Sequence, residues 1–329
     1  MSARRGADAF SFQVMLLLCA LWGIQQVAIK LAARDIAPVL QASLRSGLAA
    51  LLVGLLMAWR GGWAGVRQGT LRGGLLAGVL FAAEFLLIAL ALTHTTAGHV
   101  AVFLYTAPVF SALGLHLLLP GERLRPFQWL GIAVCFGGIA VAFIGGASLA
   151  RFDMRTLLGD ALAVGAGLAW GATTVVVRAS RLSEAPPSLT LFYQLGVCFV
   201  LLLGVSFATG QTSHVALTPI AVGSVLFQGI GVSFASYLAW FWLLRRYLAS
   251  NLAVFSFMTP LFGVTLGVLV LDEPLTMNFV LGAVLVLAGI GLVSGEAWLR
   301  RMLTRSPSQF ERRRDEVLPP SGDARDPTG

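Results

Sequence analysis

Two ionisable residues stand where charge is costly. Arg45 lies inside the apolar stretch 39–59, and Glu84 inside the stretch 73–93. If each stretch is a helix rising about 1.5 Å per residue, the two side chains reach nearly the same depth in a hydrocarbon core ~30 Å thick. A charge at that depth costs ~2.5–3.5 kcal/mol on insertion scales, so it faces water or a partner. Two roles fit. Either Glu84 carries a proton, with a pKa that its surroundings tune, or Glu84 and Arg45 form a static pair that neutralises both charges.

Two prolines form a second constellation. Pro108 and Pro260 are each the twelfth residue of an apolar stretch, 97–119 and 249–271. A proline inside a helix removes a backbone donor and kinks the helix. The carbonyls of Leu104 and Ser256, four residues earlier, are expected to lose their partner. Irregular backbone at membrane depth belongs where protein or a wet cavity supplies new partners. Tyr105, Thr106, Ser256 and Thr259 on the adjoining turns then line either a cavity or a packed kink. Trp22 and Trp170 lie about halfway along their stretches, each followed by glycine. They either line a path or pack against a close neighbour. Tyr193 and Tyr237 are weaker candidates of the same kind.

No enzyme constellation accompanies these residues. His-Glu-x-x-His, Gly-x-Ser-x-Gly and a phosphate-binding Gly-Lys-Ser/Thr loop are all missing from the sequence. His94, His99, His116 and His214 lack the cysteine or carboxylate spacing of a metal site. Cys19, Cys135 and Cys198 lie inside apolar runs and read as packing residues. No cofactor or metal is expected. Uphill movement of a solute would therefore draw on a gradient, either the solute's own or a proton's.

The elements that must position these residues follow from composition. Of 329 residues, 57% are hydrophobic and 12% charged, about half the charge of a soluble domain. Ten apolar segments run roughly 12–32, 39–59, 73–93, 97–119, 126–146, 157–178, 188–209, 217–244, 249–271 and 276–298. Each approaches the ~20 residues of a spanning helix, and none alternates as a barrel strand does. The expectation is an all-α polytopic membrane protein with ten transmembrane helices. The net charge of +8 sits in short segments between apolar runs, which suits the bilayer as partner and argues against nucleic acid. Alternate loops and termini hold 18 Lys and Arg on one side and 4 on the other, which predicts both termini in the cytoplasm. Lys30, the only lysine, is expected to snorkel to the opposite interface or contact a gate. Residues 1–11 read as a cytoplasmic N-terminus and 299–329 as a disordered cytoplasmic tail.

The chain also repeats itself. Leu21-Trp22-Gly23, Lys30 and Pro38 match Ala169-Trp170-Gly171, Arg178 and Pro186 at an offset of 148. Arg45 and Gly47 match Gln194 and Gly196 at 149. Ala101-Val102-Phe103, Pro108 and Phe110 match Ala253-Val254-Phe255, Pro260 and Phe262 at 152. Glu122, Leu124 and Gly131 match Glu273, Leu275 and Gly282 at 151. The Arg45–Glu84 pair is not duplicated, because the second half has Gln194 and Ser236 instead. Five helices per half is an odd number, so 12–146 and 157–298 become inverted repeats, with a binding site near the midplane between them. Glu122 and Glu273 each precede a helix start, where capping accounts for them. Gly131, Gly137, Gly138, Gly282, Gly289 and Gly291 suit close helix packing.

A Trp-Gly pair in the first helix of each half, a proline in the fourth, and Gly-Glu-Arg-Leu or Asp-Glu-Pro-Leu before a glycine-rich fifth together resemble the EamA-type permeases of the drug/metabolite transporter superfamily. The resemblance covers roughly 13–297. It implies a permease in a bacterial inner membrane, often an exporter of amino acids or other small metabolites, working by alternating access. A nucleotide-sugar or phosphorylated-metabolite carrier of the same superfamily is the alternative. It would need several cavity cations, and Arg45 is the one that stands out. A membrane-embedded enzyme would need a nucleophile or metal constellation that the sequence lacks.

Overall fold

In hydrocarbon every backbone N–H and C=O must be satisfied within its own segment, which leaves helices for apolar runs of this length. They start on residues suited to starting them. Proline needs no donor in the first turn, and Pro38, Pro126, Pro187 and Pro219 each open a helix. Thr96 and Thr218 cap helices by accepting from the N–H groups of His99 and Ala221.

The computed structural model describes residues 8–60, 63, 69–119, 123–144, 154–247, 252, 255–256 and 258–303. The helices are α1 (Ala9–Ala32), α2 (Pro38–Arg60), α3 (Leu71–Ala91), α4 (Ala97–Leu104), α5 (Ala107–Leu118), α6 (Pro126–Ile144), α7 (Met154–Ala179), α8 (Pro187–Ala208), α9 (Pro219–Leu226), α10 (Tyr237–Arg246), α11 (Met258–Leu271) and α12 (Met277–Leu303). Seven stretches, counting Ala97–Leu118 and Pro219–Leu243 as one each, are long and apolar enough to cross a membrane. Pro126–Ala142, Met258–Leu271 and Met277–Val293 are shorter apolar helices.

Four departures from the sequence reading have physical causes. First, α1 starts at Ala9, inside the stretch 1–11 read as N-terminus and ahead of the apolar segment expected from 12. Asp8 and Ser11 form a reciprocal capping box there, and Asp8 also accepts from the Tyr247 hydroxyl at 3.0 Å. Second, α12 continues to Leu303, past the expected tail boundary at 299. No glycine or proline follows Gly295 until Pro307, so leaving the apolar zone does not end the helix. Third, the stretch containing Pro108 is two helices meeting at Tyr105 and Thr106 rather than one kinked helix. Fourth, α9 and α10 are joined by a π-helix over Phe227–Ser236. The expectations for Glu122 and for the tail beyond 303 fall outside the described residues.

The packing is symmetric between halves. Gly23 on α1 abuts α11, where an added Cβ would lie 2.6 Å from Phe262 Cβ and 2.9 Å from the Gly263 nitrogen. Gly171 on α7 abuts α5 in the same way, 2.7 Å from Phe110 Cβ and 3.0 Å from the Ser111 nitrogen. Each Trp-Gly pair thus meets the phenylalanine two residues past the proline of the other half. Helix α6 lies along α12, where Cβ atoms on Gly131, Gly138 and Gly282 would strike backbone at 2.6–2.8 Å. Gly137, by contrast, faces open space. Small residues let membrane helices approach this closely.

Candidate functional site

The π-helix packs against α2 beside Arg45. Its i→i+5 bonding lines up residues four and five apart, and such segments are frequent at functional sites. Gln228, Val232, Ser233 and Ser236 are buried along it. Gly229 lets it approach α2, since a Cβ there would lie 2.7 Å from Leu48. Across this contact Arg45 Nη1 donates to Ser233 Oγ at 2.9 Å. The guanidinium carbon lies 3.7 Å over the Phe85 ring from α3, a cation–π contact. Arg45 is fully buried, at 0% exposure, and its Nε and Nη2 have no partner.

Glu84, next to Phe85 on α3 and 5% exposed, leaves Oε2 without a partner. Arg45 and Glu84 do not approach within 4.0 Å, so they form no ion pair. Two donors on a buried cation and one acceptor on a buried anion are therefore left without a hydrogen-bond partner. Unmet hydrogen-bond capacity of this kind costs about 1–3 kcal/mol per group, more when charged.

Trp22 and Trp170 occupy matching places but make different contacts. Trp22 Nε1 donates to Ser236 Oγ at 2.9 Å, and its ring meets Trp240 edge-on at 5.8 Å. Trp170 meets Tyr105 edge-on at 5.5 Å. The Ser236 position in the first half is Glu84, so the acceptor that Trp22 uses has an unsatisfied carboxylate as its counterpart. Tyr105 and Thr106 are buried, and Thr106 Oγ1 donates to the Phe103 carbonyl at 2.6 Å. The break they form rests on Gly167 of α7, where a Cβ would lie 3.0 Å from the Leu104 carbonyl. Pro108 is half-buried in the first turn of α5. In the other half Pro260 and Thr259 are buried at the start of α11, Thr259 Oγ1 has no hydrogen-bond partner, and Ser256 is half-buried. Gln194 is half-buried on α8.

A second polar cluster lies at the end of the bundle where α1 finishes and α4 begins. Lys30 Nζ donates to Glu273 Oε1 at 2.7 Å and to the Thr95 carbonyl at 3.0 Å. Glu273 accepts from the backbone N–H groups of Ala97 at 2.8 Å and Gly98 at 3.2 Å. It therefore caps α4 and not the helix that follows it, which corrects the sequence reading, and Lys30 is paired where snorkelling was expected. Asp272, with φ of 52°, takes the left-handed turn that sends Glu273 back across α11. The missing side chain of Gly267 leaves room for its carboxylate. Beside it, Asp160 of α7 accepts from Thr95 Oγ1 at 2.6 Å and lies 2.8 Å from His99 Nδ1. His99 also stacks on Phe279 at 3.9 Å. The sequence reading missed Asp160, His99, Gln228 and Ser233. An aspartate and a glutamine inside the apolar runs 157–178 and 217–244 were the available signals.

Comparison with known proteins gives a consistent result. The sequence matches the EamA-like transporter family twice, over residues 10–144 and 157–295. It is 27% identical over 273 residues to the uncharacterized transporter YoaV of Bacillus subtilis, covering 82% of this chain and 91% of that one. An uncharacterized transporter of Archaeoglobus fulgidus is 30% identical over 85% of this chain and 97% of its own. A protein of Escherichia coli named "probable amino-acid metabolite efflux pump" is 25% identical over 86% of this chain and 94% of its own. One crystal structure superposes with a TM-score of 0.59 at 17% identity, covering 90% of this chain and 99% of that one, a likeness of fold alone.

Proposed function

The chain belongs to the EamA-like transporter family of the drug/metabolite transporter superfamily, and from that premise we propose that it is a secondary-active exporter of a small zwitterionic metabolite such as an amino acid. In this reading ten helices cross a bacterial inner membrane as two inverted repeats with both termini cytoplasmic. The substrate binds at mid-depth between the repeats and is exposed to each side in turn.

The observation that carries the proposal is the pair of unsatisfied charges. Arg45 offers two free donors that suit a carboxylate. Glu84 offers a free acceptor that suits an ammonium group or a proton. One cation beside one anion matches a zwitterion better than a phosphate, which would call for several cations. The name of the Escherichia coli relative, an amino-acid metabolite efflux pump, supports the same class.

Counterflow in proteoliposomes tests this. Vesicles holding the purified protein are loaded with one unlabelled amino acid, amine, sugar phosphate or nucleotide sugar at a time, and uptake of the labelled compound is followed. Zwitterionic amino acids are expected to exchange. Exchange of phosphorylated compounds alone would replace this substrate class with the phosphate carrier.

A further inference from the structure

We propose that the groove between α3 and α8 binds one anionic phospholipid, with an acyl chain lying along α8 and the phosphate facing Arg72 and Arg181. The proposal rests on membrane insertion alone and not on the substrate reading above.

Gly74 and Gly78 of α3 let α8 approach closely, since Cβ atoms there would run into the Tyr193 ring and lie 2.6 Å from Val197 Cβ. Outside this contact lies a groove of about 540 Å³, lined by Leu75 and Val79 of α3 and by Tyr193, Gly196, Val200 and Leu201 of α8. Leu75, Val79, Val200 and Leu201 are exposed, so the groove opens to the surroundings of the bundle, which are lipid. Gly196 forms its floor, with no atom within 4 Å of the place its Cβ would take. Its match in the first half, Gly47, has that space filled by the Phe199 ring at 2.7 Å. The protein thus fills this place with its own ring in one half and leaves it empty in the other.

Length and charge identify the occupant. The α8 wall runs from Phe192 to Leu201, about 14 Å at 1.5 Å per residue, which is one leaflet of a ~30 Å core. An acyl chain has that length, whereas a helix of a second copy would cross both leaflets and outrun the groove. One end of the groove is basic and aromatic. Arg72 is exposed and stands two turns before Val79 on the same face of α3. Arg181 lies over Gly69, its Nη1 3.1 Å from where a Cβ would be. The next residue, Thr70, is tied to the Tyr193 hydroxyl at 3.3 Å. Trp63 meets the Phe192 ring edge-on at 5.0 Å, as an interfacial tryptophan does at headgroup level. Arginines at the mouth of an apolar cleft between membrane helices favour an anionic headgroup over a zwitterionic one.

Native mass spectrometry of the delipidated, detergent-purified protein tests the proposal. Dioleoyl phosphatidylglycerol or dioleoyl phosphatidylcholine is titrated in, and the lipids retained per chain are counted. The parent is expected to retain one phosphatidylglycerol in preference to phosphatidylcholine. The double variant Arg72→Gln, Arg181→Gln should weaken phosphatidylglycerol about 10- to 30-fold and leave phosphatidylcholine unchanged. Gly196→Leu puts a side chain into open space and replaces a poor helix former, so the fold should hold while both lipids are lost. Gly204→Leu, at an equally open glycine outside the groove lining, should change nothing. Val200→Phe takes the place of Gly196→Leu if that variant does not accumulate. Retention untouched by Gly196→Leu would overturn the groove as the site. Equal retention of the two lipids by the parent would overturn the headgroup assignment. A dimeric parent that Gly196→Leu splits with no lipid lost would make this face an interface between copies and overturn the lipid site.

Discussion

The mid-depth pair and the end cluster use the same chemistry with opposite degrees of satisfaction. At the end, the oxygens of Glu273 and Asp160 are all met by N–H groups, a hydroxyl, an ammonium or an imidazole. Arg45 and Glu84, at 0% and 5% exposure against 9% and 3% for Glu273 and Asp160, are similarly buried and leave donors and an acceptor unmet. If stability were the purpose of both, both would be satisfied, since an unmet group costs more where no water reaches it. The difference supports the proposal that the end cluster holds the fold and the Arg45–Glu84 pair binds substrate.

Substituting each region in turn should separate the two roles. Arg45→Gln is expected to weaken binding of a zwitterionic substrate by about 10- to 100-fold, the loss of hydrogen bonds to a charged group at ~1.5–3 kcal/mol. Competition in the counterflow assay reads this out. Unchanged affinity would move the substrate away from the pair. The frame that holds both regions should respond next. Gly171→Val places a methyl group on the Phe110 side chain, and overpacking of this kind costs about 1–3 kcal/mol. A lowered unfolding midpoint is expected, with the matching change Gly23→Val giving a similar drop because the contact is repeated.

Lys30→Met should lower stability by about 1.5 kcal/mol, the low end for a hydrogen bond to a charged group, and leave substrate affinity unchanged. A loss of affinity with no loss of stability would reverse the assignment of roles. The smallest effect is expected at Asp8. The Ser11 N–H, with help from the Tyr247 hydroxyl, holds its carboxyl below the usual 3.8. Its contribution is full above the unfolded value and is lost as pH falls through the lowered one. The difference in melting midpoint between the parent and Asp8→Ala should therefore be present at neutral pH and vanish in strong acid.

Much of this was legible in the sequence because hydrophobic runs, prolines and doubled motifs are local signals. The ranges of the long helices and an irregularity near Pro108 follow from counting residues. The partners did not follow. Glu273 looks like a cap for the helix after it, and only the left-handed Asp272 sends it to α4 instead. His99 looked isolated because Asp160 is distant in sequence and adjacent in space. The π-helix left no trace in an apolar run whose proline, Pro219, only opens its first helix. The Trp-Gly pairs were visible as a repeat, but their cause is a contact between halves, which no single segment encodes.

The central claim is that the mid-depth carboxylate works and does not merely balance Arg45. The most direct test is Glu84→Gln in proteoliposomes with an imposed proton gradient, measuring accumulation and equal-concentration exchange of the same labelled substrate. The neutral amide mimics the protonated carboxyl, so exchange should persist while uphill accumulation disappears, and the double variant Arg45→Gln, Glu84→Gln should not regain it. A Glu84→Gln protein that folds poorly, together with a double variant that folds and accumulates substrate, would show a static pair and contradict the account.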